Sequence, residues 1–370
     1  MARLSGPRGP KALRGLTRRA FLGGAAGFGA ALAARAHADD SSDDPNLVSV
    51  YSWEGYFAPD TLGSFTAATG IEVHHDVFAS NEEMFTTLKS GGANHDVVFA
   101  SDYMVETMIG RAMLAPLDHD LVPNIRHIDP APAFSDPRFN PGLAHGVPYI
   151  WGTMGLGYRR ARLGRGPESW GLVFEPARSA AFAGRIALPA DPRATIGFAL
   201  KYLGHSLNAT DSEAIAQARN LLISAKPNLH AFAPDSGEYL LLRDEVDLAA
   251  EWNGDIIDAQ GVDRDIGYAV PREGSVLWID NVCIPAAAPR PANAHAFINH
   301  LLDPEVNAAI ANYLRYATPN WAAREMVDPG DLNDPVVYAP PGTVADCETI
   351  VDVGDFRQLY DAAWDAILAA

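Results

Sequence analysis

The chain has few cysteines and lacks the motifs that mark most enzyme active sites. Its 370 residues include two cysteines and eleven histidines, without the spacing of a zinc site. They contain no G-x-x-x-x-G-K-S/T phosphate loop, no G-x-S-x-G nucleophile elbow and no H-E-x-x-H motif. The pair His74-His75 falls in an expected strand, where neighbouring side chains point to opposite faces and do not readily share one metal. The sequence therefore gives no reason to expect catalysis, a metal or a cofactor.

Basic residues are scarce, and a quarter of them lie at the amino end. The chain has 28 Lys and Arg against 46 Asp and Glu, a formal net charge of −18. Residues 1–38 carry seven of the basic residues and no acidic one, so without them the charge is −25. So acidic a surface repels nucleic acids and anionic membranes and mildly attracts cations.

The amino-terminal segment has the features of an export signal. After a basic stretch, residues 21–34 form an apolar run too short to span a bilayer comfortably. The sequence Ala-His-Ala at 36–38 offers a signal-peptidase site, and Thr-Arg-Arg-Ala-Phe-Leu at 17–22 looks like a twin-arginine signal. An ordinary secretory signal is the alternative. We predict a signal peptide at 1–38, a linker at 39–45 and a soluble periplasmic protein.

The two cysteines, Cys283 and Cys347, allow two interpretations. An oxidising periplasm permits a disulfide, but the sequence does not place their Cα atoms within bridging distance. Because Cys283 lies in the apolar run Val282-Cys283-Ile284, free and buried thiols are favoured.

Beyond the linker, strand and helix patterns alternate, as in a parallel α/β sheet. The expected elements are strands at 48–51, 71–77 and 96–100 and helices at 59–69, 80–91 and 103–110. Two long extended runs, at 146–160 and 274–285, bracket a second α/β block. They suggest crossover strands that join two lobes.

Aromatic residues recur beside carboxylates where strands are expected to end. The three segments are Trp53-Glu54-Gly55-Tyr56, Trp252-Asn253-Gly254-Asp255 and Trp278-Ile279-Asp280. In open α/β sheets, ligands bind at the carboxyl ends of the strands. Aromatic faces and carboxylates together suit an alkyl chain that carries ammonium groups.

At these residues the sequence resembles the periplasmic polyamine-binding proteins of bacterial ABC importers. Further support comes from the segments TGIEVHHDVFASNEEM (69–84), DVVFASDY (96–103), VPYIWGTMGLGY (147–158) and LWIDNVCIPAAA (277–288). The resemblance implies a type II periplasmic binding protein, with two α/β lobes joined by hinge crossover strands and a ligand cleft between them. Lobe one comprises 46–148 and 281–318, lobe two 149–280 and 319–370, and the hinge lies at 148–152 and 280–283. The implied partners are a small cationic ligand, of the putrescine or spermidine type, and a membrane permease, for a monomeric protein that binds no nucleic acid.

The resemblance also implies the ligand-binding residues. It assigns them to Trp53, Tyr56, Ser101, Tyr103, Asp191, Trp252, Asp255, Trp278, Asp280 and Tyr316. The chain departs from the family pattern at two places: Gly55 stands where an acid is usual, with Glu54 beside it, and Ala194 stands where a Glu is frequent, next to Arg193. We include Glu54 among the expected site residues as the displaced acid.

Other functions remain open at this level. A receptor for another small amine, such as an amino alcohol or a guanidino compound, has the same chemistry. An exported enzyme on the same scaffold is an alternative that a fold does not exclude. A receptor for iron or an anion is the weakest alternative, since anions favour arginines and helix amino termini.

Overall fold

The computed structural model describes residues 44–91, 94–234 and 236–370. The predicted signal peptide at 1–38, and the linker up to residue 43, lie outside the described residues. The strands are β1 Leu47–Trp53, β2 Glu72–Phe78, β3 Val97–Ser101, β4 Gly146–Arg159, β5 Ile186–Pro189, β6 Ala231–Ala233, β7 Leu248–Trp252, β8 Ile266–Ala269 and β9 Leu277–Cys283. The helices are α1 Thr61–Thr69, α2 Asn81–Lys89, α3 Asp102–Gly110, α4 Pro132–Ser135, α5 Arg160–Leu163, α6 Gly171–Phe174, α7 Pro176–Ser179, α8 Pro192–Tyr202, α9 Ser212–Ala225, α10 Gly237–Leu242, α11 Asn253–Val262, α12 Pro291–Leu301, α13 Pro304–Leu314, α14 Pro329–Leu332, α15 Pro341–Asp346 and α16 Arg357–Ala369.

Local sequence signals account for the element ends nearest the site. Gly70 adopts a left-handed conformation with φ 76° and ends α1. Ser80 accepts a hydrogen bond from the Glu83 backbone N–H, 3.1 Å away, and so caps the start of α2. The expected elements at 48–110 are therefore present, with ends shifted by a residue or two.

The described strands form one sheet in the order β2-β1-β3-β9-β4-β7-β5-β6, with β8 paired to β4. Pairing is parallel at the two ends, between β1 and β2, β1 and β3, β5 and β6, and β5 and β7. It is antiparallel in the middle, where β9 pairs with β3 and β4, and β4 with β7 and β8. The expectation of a parallel sheet is therefore wrong for the centre. The reason is that β4 and β9 cross between the two halves in opposite directions.

Two main hydrophobic cores lie on either side of these crossing strands. One is drawn from residues 48–151 and 277–317, with Ala339 and Cys347 added. The other is drawn from residues 154–276 and 353–367. The predicted lobe boundaries stay a prediction, and they place Ala339 and Cys347 in the lobe opposite to the core in which these residues pack.

The pairing of β4 with β9 is irregular at one point. It runs from Gly146 opposite Cys283 to Thr153 opposite Leu277, and its register shifts between Pro148 and Ile150. Proline has no N–H to donate to a central ladder, so a bulge is the usual way to accommodate it there. The irregularity lies opposite Asp280.

Candidate functional site

Asp280 lies at the centre of a hydrogen-bonded cluster on β9. It is 2% exposed and pairs in register with Ser101 of β3 and Ile150 of β4. The Ser101 hydroxyl donates to one carboxylate oxygen over 2.7 Å, and the Tyr56 hydroxyl donates to the other. Asn81 fixes Ser101 in turn, because its amide N–H₂ donates to the Ser101 hydroxyl over 3.1 Å and its carbonyl accepts from the Ser101 N–H over 3.2 Å.

The loop after β1 buries its aromatic side chains and exposes its acid. Trp53 and Tyr56 are 6% and 3% exposed, whereas Glu54 and Gly55 are exposed. Gly55 has φ 70°, which makes the tight turn that returns Tyr56 to the sheet. The Tyr56 carbonyl accepts a 2.6 Å hydrogen bond from the buried Tyr149 hydroxyl. The loop is therefore packed against the sheet, and this packing positions the Tyr56 hydroxyl to donate to Asp280.

A second aromatic group lies on the β7, α11 and β9 side of the sheet. Trp278 donates its indole N–H to the Asn253 side-chain oxygen over 3.1 Å, and its ring meets Tyr316 edge to face at 5.4 Å. Tyr316 packs over Gly254, where an added Cβ would lie 2.5 Å from the Tyr316 Cε1 atom. The structure thus brings Trp278 and Tyr316 together at the start of α11.

Two other predicted residues on this side, Trp252 and Asp255, flank the start of α11. Trp252 is the last residue of β7, and Asp255 lies in the first turn of the helix. Both side chains are half-buried. The strand end therefore delivers an indole and a carboxylate beside the Trp278–Tyr316 pair.

Three residues outside the predicted ligand-binding set, Gly152, Asn253 and Gly254, make this packing possible. An added Cβ on Gly152 would lie 2.5 Å from Trp278 Cζ2, so the indole fits only against a glycine. Asn253 donates to the Val336 carbonyl over 2.9 Å and accepts from the Thr153 N–H over 3.2 Å, besides accepting from Trp278. A glycine in the interior of a strand often marks the close approach of another group, so the sequence carries a signal for Gly152, within β4.

Tyr103 and Asp191 lie at helix starts. The Tyr103 hydroxyl donates to Glu82 over 3.1 Å, and burial, reinforced by the Glu82 charge, raises the pKa of the phenol. Asp191 is exposed and caps α8, accepting from the backbone N–H groups of Arg193 and Ala194 over 2.8 and 3.0 Å. Its role in ligand binding stays a prediction.

The Arg193 guanidinium, whose charge would oppose a cationic ligand in the cleft, is bound by other residues. Its guanidinium donates to Asn208 over 2.8 Å and to the Val351 carbonyl over 3.1 Å, and lies 4.6 Å from the ring centre of Tyr360. These contacts join α8 to the carboxy-terminal segment.

Asp102 is a buried carboxyl beside the cluster. It is 4% exposed and accepts from the Tyr103 N–H over 2.7 Å and the Ile279 N–H over 3.3 Å. Burial raises its pKa well above the usual range of an Asp, and the nearby Asp280 charge adds to the effect. Asp102 thus ties the start of α3 to β9 just before Asp280.

The histidines and cysteines considered for a metal site or a disulfide make ordinary structural contacts. Among residues 44–91, 94–234 and 236–370, no three His, Cys, Asp or Glu side chains are placed to hold a metal ion. His75 bonds Ser52 over 2.8 Å, whereas His74 lies 3.3 Å from Asp76, so the two imidazoles do point apart. Cys283 and Cys347 are both buried and unbridged, which confirms the favoured interpretation.

A search of the same described ranges for membrane spans finds no helix with the length and apolar character that crossing a bilayer requires.

The fold and the cluster around Asp280 define a class of protein, and comparisons agree with it. The sequence profile of bacterial extracellular solute-binding proteins matches residues 62–335, and the chain belongs to this family. It is a type II binding protein with two α/β lobes, as the sequence predicted. The family resemblance stated from the sequence is confirmed.

Individual relatives are similar over nearly their whole length. The spermidine/putrescine-binding periplasmic protein of Escherichia coli is 33% identical over 337 residues, 90% of this chain and 94% of that protein. The putrescine/cadaverine-binding protein of Pseudomonas aeruginosa is 30% identical over 328 residues, covering 86% and 92%. The spermidine/putrescine substrate-binding protein PotD of Streptococcus pneumoniae superposes with a TM-score of 0.80 at 29% identity, covering 87% of this chain and 99% of that structure.

Proposed function

We propose that this protein captures a polyamine of the putrescine or spermidine type in the periplasm and delivers it to an ABC permease. The observation that carries the proposal is the environment of Asp280. This buried carboxylate is held by two neutral hydroxyl groups, those of Tyr56 and Ser101, so its charge stays available to a cation. The names of the relatives point to the same ligands.

The energetics favour a ligand with ammonium groups on an alkyl chain. A carboxylate and an ammonium 4 Å apart attract by on the order of 4 kcal/mol at intermediate dielectric, before desolvation is subtracted. Aromatic faces add roughly 0.5–2 kcal/mol each for a cation above them and cover methylene groups. Because desolvation of an ammonium is costly, several acids must contribute, and Asp255 and Glu54 are the further candidates.

The proposed mechanism is closure of two lobes about a hinge. Lobe one comprises 46–148 with 281–318, and lobe two 149–280 with 319–370. A ligand that touches Tyr56 and Ser101 on one side and Trp252, Asp255 and Trp278 on the other stabilises the closed form. The permease then recognises the closed outline, and the ligand undergoes no chemistry.

Calorimetric titration of the mature, ligand-stripped protein tests this function. We expect one-to-one binding of at least one polyamine among putrescine, cadaverine, spermidine and spermine. Asp255→Ala should weaken that binding about tenfold or more, since one charged contact is worth about 1.4 kcal/mol or more, and should leave the fold intact. Full affinity in this variant removes Asp255 from the site, and no binding of any amine by the unaltered protein refutes the function.

A second candidate is a receptor for a smaller or singly charged amine. It is favoured by the two departures from the family pattern, because Gly55 and Ala194 each lack a carboxylate that the family uses. Tight binding of an amino alcohol or a guanidino compound, together with no measurable binding of the polyamines, supports this candidate instead.

A further inference from the structure

We infer that Glu82, oriented by Tyr103, is an additional cation-binding carboxylate on the lobe-one wall of the cleft. The inference rests on the proposed function and deepens it, because it names a residue that selects ligands by their number of ammonium groups. Neither the residue pattern nor the resemblance assigned Glu82 any role.

The position of Glu82 follows from the sheet. It lies in the first turn of α2, directly after Asn81, and α2 follows the carboxyl end of β2. Because β2, β1 and β3 are parallel, the carboxyl ends of all three strands meet at one edge. The two hydrogen bonds between Asn81 and Ser101 fix the start of α2 against the end of β3. Glu82 is therefore one residue away from the network that holds Asp280.

The state of its carboxylate distinguishes Glu82 from its neighbour. The Glu83 carboxylate accepts from the Ala79 N–H over 2.8 Å and is part of the cap of α2. Glu82 is exposed, and its carboxylate accepts from the Tyr103 hydroxyl over 3.1 Å, the one hydrogen bond it makes within the described ranges. A single neutral donor orients the group and leaves its second oxygen for a ligand.

Tyr103 connects this carboxylate to the rest of the site. It follows Asp102 at the start of α3, and Ser101, which donates to Asp280, is two residues earlier. A ligand that binds Asp280 therefore meets a second carboxylate, on lobe one, that is held by the hydroxyl of an aromatic side chain. Such an arrangement adds little to the binding of a single ammonium at Asp280 and more to that of a longer ligand with a further ammonium.

The test uses charge-matched variants of the full mature protein. Glu82→Gln and Glu83→Gln each remove one negative charge from the same helical turn, so long-range electrostatics change alike in both. We expect Glu82→Gln to weaken spermidine about tenfold, roughly 1.4 kcal/mol, and putrescine less, with an unchanged melting temperature. Glu83→Gln should retain both the affinity and the melting temperature, because the glutamine oxygen can still accept from the Ala79 N–H and the Ser80 cap is unchanged.

The Tyr103→Phe variant tests whether the Tyr103 hydroxyl orients Glu82, because it keeps the packing of the ring. It removes only the hydroxyl, so we expect a smaller loss of spermidine affinity and no additional loss when combined with Glu82→Gln. If the unaltered protein binds polyamines while Glu82→Gln retains its affinity for each, or if both glutamine variants lose affinity equally, the inference is refuted and the proposed function stands. If the unaltered protein binds none of the amines, both are refuted.

Discussion

Gly152→Ala is the smallest change that should disturb the aromatic side of the site. The added Cβ would lie 2.5 Å from Trp278 Cζ2 and 2.7 Å from Cε2, and closer still to the Asn253 side-chain oxygen. None of these atoms moves alone, because Trp278 bonds Asn253, and Asn253 also holds the Thr153 N–H and the Val336 carbonyl. The indole must therefore shift with its hydrogen-bonded neighbours.

The magnitude follows from two contributions. Overpacking by one methyl group in a rigid site costs about 1–3 kcal/mol. Loss of the Trp278–Asn253 hydrogen bond adds about 0.5–1.5 kcal/mol. We expect the free energy of unfolding to fall by about 1.5–4.5 kcal/mol, and polyamine affinity to fall about tenfold as one aromatic face leaves the ligand.

Urea unfolding and calorimetric titration measure the two effects, and Gly63→Ala is the matched control. Gly63 lies exposed in α1 with no atom within 4 Å of an added Cβ, so this alanine should stabilise the protein by about 0.5–1 kcal/mol and leave binding unchanged. A Gly152→Ala protein with normal stability refutes the packing argument. One that is destabilised but binds normally shows that Trp278 does not contact the ligand.

Three further predictions concern stability, reactivity and lobe contact. Burial is the main cause that lowers the pKa of His75 below 6.5, so the unfolded chain binds a proton at this residue more readily than the folded protein does. The contribution of His75 to the free energy of unfolding is therefore fully present above pH 6.5 and is lost as the pH falls from 6.5 through the pKa of His75 in the folded protein. His75→Gln should flatten that fall in urea unfolding, and an unchanged slope would show that other groups cause it. Burial also raises the pKa of Cys283 to about 12 and of Cys347 to about 11, so the native protein should resist iodoacetamide and take up two labels once unfolded; rapid native labelling would contradict this. The Glu106 carboxylate accepts from the Asp352 N–H over 2.6 Å, joining α3 to the carboxy-terminal segment, and Glu106→Ala should raise the radius of gyration of the ligand-free protein in X-ray scattering. Identical scattering would mean that this contact does not restrain the lobes.

Local features of the fold could be predicted because their causes lie close together in sequence. Gly70 stops α1 and Ser80 caps α2, and both signals act within four residues. The direction of the central strands could not be derived in this way. Two extended apolar runs look alike whether they lie parallel or antiparallel, and only the crossing between two cores makes β4 and β9 antiparallel.

The candidate site also has features that local sequence predicts and features that depend on long-range pairing. Trp53 and Tyr56 could be proposed as site residues because aromatic side chains are unusual in turns, and Trp278 and Asp280 because the pattern of an aromatic residue near a carboxylate recurs there. The hydrogen-bond partners of Asp280 could not be predicted from local sequence, because Tyr56 and Ser101 are 224 and 179 residues away in the chain. Such pairings depend on register across three strands, which no local pattern encodes.

The position of Asp280 links the proposed ligand contact to the proposed hinge. Its strand, β9, pairs with β3 on one side and with β4 on the other, and the register of β4 breaks between Pro148 and Ile150, opposite Asp280. A bulged ladder has fewer hydrogen bonds to distort than a regular one, so bending there requires less free energy. A cation bound at Asp280, as proposed, would therefore lie beside the irregular part of the β4–β9 ladder. Under the proposed mechanism, the same residue would contact the ligand and lie at the hinge, so binding and closure would need no intermediate pathway through the core.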